Sequence, residues 1–141
     1  MRFWDSSAVG RPARMSRAGE RSLPTLLRAD PIVVVWSLAA TEVISALSRK
    51  RREGTLSAPR FDEAKQRLFG LEGAWSEVSA LESVRLRARR LLEVHPLSAA
   101  DALHLAASLV LVEERTHGVG FVSLDERLRE AAAREGFAVV P

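Results

Sequence analysis

Ile32-Val33-Val34-Val35-Trp36 is an unbroken apolar run in which the first four residues are β-branched. A strand with one wet face alternates apolar and polar side chains. A continuous run instead predicts a strand covered on both faces, the habit of a parallel sheet flanked by helices. Outward from it, shorter apolar runs of strand character stand at Phe3-Trp4, Gly120-Phe121-Val122 and Phe137-Ala138-Val139-Val140. Between them the apolar spacing becomes helical: about Leu23 to Ala29, Leu38 to Arg52, Pro59 to Glu72, Leu81 to Glu93, Ala99 to Glu114 and Glu126 to Glu135. Ser22 before Leu23-Pro24 has the form of a helix start, Gly54 and Gly136 of helix stops, and His95-Pro96 separates two neighbouring helices. The segment after Ser98 is apolar nearly all round, so its helix is expected to run through the interior. Alternation of strands and helices predicts an α/β fold with helices on both faces of a parallel sheet.

The chain has 141 residues, the commonest size for one domain, and no internal repeat or simple-sequence linker divides it, so residues 1–141 are read as a single unit. Its apolar share is 47% and its mean hydropathy −0.02, and no apolar run approaches the roughly 20 residues of a membrane-spanning helix. Asp5 interrupts the N-terminus where a secretory signal needs an apolar stretch, which predicts a cytoplasmic protein with no membrane partner. The absence of cysteine agrees and removes disulfides, thiolate zinc sites, iron–sulfur clusters and cysteine nucleophiles. The net charge is only +3, but 19 of the 21 basic residues are arginine, whose planar fork suits carboxylate and phosphate. Arginines on solvated helix faces need no partner, so composition alone names no nucleic acid.

The chemistry lies in the acids. Of five aspartates, Asp5, Asp101 and Asp125 fall at junctions between elements. Each has a structural explanation: Asp5 can cap a following turn, Ser98-Ala99-Ala100-Asp101 reads as a capping box, and Asp125 can open the last helix. Together they carry a second reading. The carboxyl ends of parallel strands gather on one edge, where ligand crevices form, and Asp5 and Asp125 both follow strands. Glu42 adds a fourth acid in the first turns of the helix after the central strand, on an apolar stripe with Leu38 and Ala46. The alternative for Glu42 is a helix-edge side chain reaching solvent. Gathered carboxylates repel one another and resist ionisation unless a cation neutralises them. Oxygen-only ligation suits Mg²⁺ or Mn²⁺, which activate water and stabilise charge during attack on a phosphodiester.

These segments resemble the PIN domain, and within it the VapC-type toxin ribonucleases of bacterial toxin–antitoxin pairs. Asp5-Ser6-Ser7-Ala8 is similar to the family's opening acid with small residues behind it, and Thr41-Glu42-Val43-Ile44-Ser45-Ala46-Leu47 to its glutamate helix. Asp101-Ala102-Leu103-His104-Leu105-Ala106-Ala107 resembles its third-acid helix, and Phe121-Val122-Ser123-Leu124-Asp125 its final strand and acid. The resemblance implies a three-layer α/β/α sandwich with a central, mainly parallel sheet, and Mg²⁺- or Mn²⁺-dependent endonucleolytic cleavage of RNA. By position it makes Asp5, Glu42, Asp101 and Asp125 the metal-binding and catalytic quartet, with Ser7 and Ser123 in support and His104 a structural or outer residue. It also implies a homodimer silenced by a cognate antitoxin protein.

One stretch departs from the family pattern. Val9 to Gly19 is basic, carries Pro12 and two glycines, and lacks helical periodicity, so a stable helix is not expected there. It reads either as a basic loop whose Arg11, Arg14 and Arg17 contact RNA phosphates, or as a degenerate stretch that impairs the site. The competing function is therefore a catalytically impaired PIN-like module that binds RNA or a protein partner. A receiver- or phosphatase-like domain ranks lower, because Lys50 and Lys65, the only lysines, are unsuitably placed. Phe61, Phe69 and Trp75 are read first as core and second as a groove for an antitoxin helix. Arg85, Arg87, Arg89 and Arg90 are read first as a solvated helix face.

Overall fold

The computed structural model describes residues 1–13 and 28–140. Along the chain lie β1 (Arg2–Trp4), α1 (Ser6–Ala13), β2 (Val33–Trp36), α2 (Ala39–Arg52), α3 (Ala58–Glu72), β3 (Ser76–Val78), α4 (Leu81–Val94), α5 (Ala99–Leu111), β4 (Gly120–Val122), α6 (Glu126–Arg134) and β5 (Ala138–Val140). The five strands form one sheet in the order β3-β2-β1-β4-β5, and every neighbouring pair is parallel. Phe3 on the central strand stands opposite Val34 on one side and Phe121 on the other.

The unbroken apolar run of β2 has the physical cause expected of it, because successive side chains enter two different cores. Val34 and Trp36 join Phe3, Phe121 and Val78 against α4, α5 and α6, through residues such as Val84, Leu91, Leu105 and Leu128. Val35 joins Trp4 and Val122 against α1, α2 and α3, through Ala8, Val43, Leu47 and Leu68. These are the two outer layers of an α/β/α sandwich. The Phe3 and Phe121 rings stack at 5.6 Å between centroids across adjacent strands, locking the register at the middle of the sheet. Helix α5 is the buried one, with seven consecutive-turn residues from Ala102 to Leu109 inside.

Four local findings differ from the sequence reading. Strand β3 was not expected: Ser-Glu-Val is short and polar, and only Val78 is buried, as suits the edge of a sheet. Helix α1 runs through Gly10, Arg11 and Pro12, although that stretch was expected to be non-helical. Ala8 and Val9 are buried in the core, and this burial outweighs the weak propensities, while a proline in the last turn removes only one backbone bond. Helix α5 stops at Leu111 rather than Glu114, because Glu113 and Glu114 take left-handed φ values of 50° and 63° as the chain turns back toward β4. Arg87 holds Glu114 there with bonds of 2.9 and 3.1 Å. Of the three aromatic residues near α3, Phe61 is buried and Trp75 packs partly against the same core, but Phe69 is exposed. The helix start read at Ser22 lies outside the described residues. Among the described residues no single helix is long and apolar enough to cross a membrane.

Candidate functional site

The strand order fixes where a site belongs. From β1 the chain moves outward through β2 to β3, then returns to the other side of β1 for β4 and β5. Helices α1 to α3 cover one face and α4 to α6 the other, so β1 and β4 flank the point where the winding reverses. At such a point the chain segments leaving two adjacent strands part to opposite faces and open a crevice at the carboxyl edge.

Asp5 leaves β1 at this crevice and is 2% exposed. Its backbone N–H continues the ladder to Val122 at 3.1 Å, while its carboxylate caps α1 by accepting from the Ala8 N–H at 3.0 Å. Ser7 Oγ lies 2.8 and 2.9 Å from the two carboxylate oxygens, and Ser123, just beyond β4, donates to Oδ2 at 3.0 Å. The same two serines stitch the loops together: Ser7 Oγ accepts from the Leu124 N–H at 2.9 Å and Ser123 Oγ from the Asp125 N–H at 3.0 Å. Burial pushes the Asp5 pKa above the ordinary carboxylate value, against the charge of His104 and the Ala8, Ser7 and Ser123 hydrogen bonds, which pull it down.

Glu42 reaches the same edge from the first turn of α2. Its Oε2 accepts from Ser6 Oγ at 2.7 Å and faces His104 Nε2 on α5 at 2.8 Å. Burial pushes its pKa up, but the His104 hydrogen bond and charge, with the Ser6 bond, outweigh this and leave it below the usual glutamate value. His104 is itself buried, its Nδ1 has no partner among the described residues, and the ring meets the polar site through Nε2. Ser6 received no role from the sequence; only its place between Asp5 and Ser7 hinted at one.

The other two acids come to this edge as helix starts. Asp101 is half-buried and its Oδ2 accepts from Ser98 Oγ at 2.7 Å, while Ser98 Oγ accepts from the Asp101 N–H at 3.2 Å. Asp101 precedes His104 by three residues, which puts both on one face of α5. Asp125 is exposed and caps α6 by accepting from the Leu128 N–H at 2.9 Å. Thus Asp5 is held by Ser7 and Ser123, and Glu42 by Ser6 and His104, in two hydrogen-bonded groups that adjoin at Ser6-Ser7, while Asp101 stands on the helix of His104 and Asp125 follows Ser123 by two residues. Among the described residues no three His, Cys, Asp or Glu side chains converge closely enough to hold a metal ion. The donor chemistry nevertheless fits a hard cation: all four groups are oxygen ligands, none is ion-paired to Arg or Lys among the described residues, and Asp5 is buried at the expense of its charge. Of the arginines after Asp5, Arg11 lies on α1, whereas Arg14 and Arg17 lie outside the described residues.

Comparison with protein families matches the PIN domain over residues 2–134. The chain belongs to the PIN domain family. No curated protein sequence matches it significantly. PIN domains are generally nucleases that use divalent metals and bind nucleic acids. The matched span of this PIN domain contains all four acids, the two serines beside Asp5 and Ser123.

Proposed function

We propose that this PIN domain is a Mg²⁺- or Mn²⁺-dependent endoribonuclease and the toxin of a bacterial toxin–antitoxin pair. The observation that carries the catalytic reading is Asp5: a carboxylate buried at the reversal point of the sheet, tied to both flanking loops and, like the His104-bound Glu42, paired to no Arg or Lys among the described residues. A protein keeps such a group where its charge is used. Asp5, Glu42, Asp101 and Asp125 would hold the ion. When bound, a divalent ion there supplies an activated water and stabilises charge on the phosphodiester. Ser7 and Ser123 orient Asp5, and Ser6 and His104 orient Glu42, so neither carboxylate has to be ordered when substrate arrives.

The protein partners follow from the same reading. Leu81, Leu86, Leu92 and Val94 are exposed apolar residues along α4, and such a surface supports a homodimer or a bound antitoxin segment. The second function, a catalytically impaired module that binds RNA or protein, is favoured by one observation: Asp101 is engaged by the N-cap Ser98 and Asp125 caps α6, and among the described residues the acids stop short of a converged metal-binding cluster. Incubation of purified protein with a mixed pool of structured RNAs, with Mg²⁺, with Mn²⁺ and with chelator, separates the two. Metal-dependent cleavage that disappears in Asp5→Asn is expected. RNA binding without cleavage in any metal would instead establish the impaired module.

A further inference from the structure

Beyond the acid cluster, the cleft between α1 and α2 continues as a polar channel. Ser6, Ser7 and Gly10 on α1 face Glu42, Ala46 and Arg49 on α2 across a cavity of about 230 Å³. Glu42, Ala46 and Arg49 are spaced four and then three residues apart, so they form one stripe along α2. Glu42 and Arg49 are separated by about 10 Å of helix. Between them α2 lines the cavity with Val43 and the half-buried methyl of Ala46, so no polar side chain of that helix stands between the Glu42 and Arg49 ends of its lining.

Arg49 is exposed and has no acidic partner among the described residues. A position in the last turn of α2 gives any cation a favourable place beside the helix C-terminus, and that alone explains a charge there. It does not explain why the charge lies at the end of an open channel that starts at Glu42. The basic surface also continues past it. Toward the end of α2, Ser48, Arg51 and Arg52 line a separate hollow of about 360 Å³ with Phe61 of α3, and the Arg51 guanidinium rests 5.3 Å from the centre of the Phe61 ring. An acid-lined site repels a polyanion, so a strand that enters it needs cations along its path, and arginine grips phosphate with two parallel hydrogen bonds.

We propose that the α1–α2 channel carries a single RNA strand away from the acid cluster and that Arg49 binds a backbone phosphate next to the scissile one. This rests on the endoribonuclease reading and adds to it the direction of the strand and a residue that holds it without touching the reacting atoms. Arg49 is then a substrate-positioning residue whose loss weakens binding more than turnover.

The test uses the full chain and a fluorescently labelled single-stranded oligoribonucleotide. Binding is measured across a salt series in chelator, and cleavage kinetics are measured with Mn²⁺. Arg49→Gln is expected to weaken binding about 3- to 10-fold and to flatten the salt dependence by about 0.7 in the log–log slope, the share of one phosphate contact on a single strand. It should raise KM by the same factor and leave kcat within about twofold. Arg134→Gln removes an exposed cation from the last turn of α6 and should change neither quantity. Binding by Arg49→Gln equal to the unsubstituted protein, or an equal loss in Arg134→Gln, overturns the channel. An unsubstituted protein that neither binds nor cuts RNA overturns the endoribonuclease reading itself, and the channel with it.

Discussion

Asp5 is both the most buried acid of the site and the one whose ionisation the fold opposes. Its pKa is higher in the folded chain than in the unfolded one, so the folded state binds the proton more tightly and the charged form costs stability. That cost is absent well below the ordinary aspartate value of 3.8 and grows as pH rises toward the raised folded value. Asn at this position keeps an acceptor for the Ala8 N–H and removes the charge. In chelator, Asp5→Asn is therefore expected to melt at the same or a higher temperature than the unsubstituted chain at neutral pH. The gap should close at pH 3, as calorimetry across that range will show. A melting temperature several degrees lower at neutral pH would mean that the carboxylate serves the fold rather than a ligand. Glu42 has the opposite sign: its depressed pKa stabilises the fold above the ordinary glutamate value, and this contribution is lost as pH falls through the folded value. Its bond to His104 makes the second prediction. His104→Leu removes the imidazole contact to Glu42 and should weaken Mn²⁺ binding about 10- to 100-fold in a titration, with the secondary structure by circular dichroism retained. Unchanged Mn²⁺ affinity would show that the ring merely fills the core.

At the scale of elements, three helices begin at this edge on, or directly beside, the acids assigned to the proposed metal site. Asp5 caps α1, Ser98 caps α5 around Asp101, and Asp125 caps α6. The two roles are compatible because a helix N-terminus that faces the carboxyl edge favours negative charge there. They separate by substitution. Asp125→Asn keeps the cap and should change stability by less than about 0.5 kcal/mol, whereas Asp125→Ala should cost about 1 kcal/mol; chemical denaturation distinguishes them. Both should lower metal-dependent cleavage, and full activity in either would remove Asp125 from the site. The sequence announced these helix starts clearly, since serine and aspartate before an apolar run have few other uses. It announced β2 as clearly through an unbroken run that both cores explain. Strand β3 was hidden because an edge strand needs only one buried side chain, Val78. Helix α1 was hidden because tertiary burial of Ala8 and Val9, which no local pattern records, decides it. Within the site the acids could be picked out singly, but the bridges from Ser6 and His104 to Glu42 join residues 36 and 62 positions apart and depend on the fold.

For the whole molecule, the parallel sheet with its reversal between β1 and β4 does the assembling: it sends one acid-bearing junction to the edge from each of two central strands, and packs α2 and α5 so that Glu42 and His104 meet there. A ligand that binds only the folded chain raises its stability by mass action. At a concentration one hundred times its dissociation constant, a divalent ion should stabilise the protein by about 2.7 kcal/mol, visible as a higher melting temperature than in chelator. The measurement closest to the central claim is a titration of the purified full chain with Mn²⁺, followed by electron paramagnetic resonance, beside Asp5→Asn. Saturable binding by the unsubstituted protein and its loss in the folded variant is the expected result. Equal binding by both proteins, or binding by neither, would contradict the assignment of the buried carboxylate to a metal-dependent nuclease site.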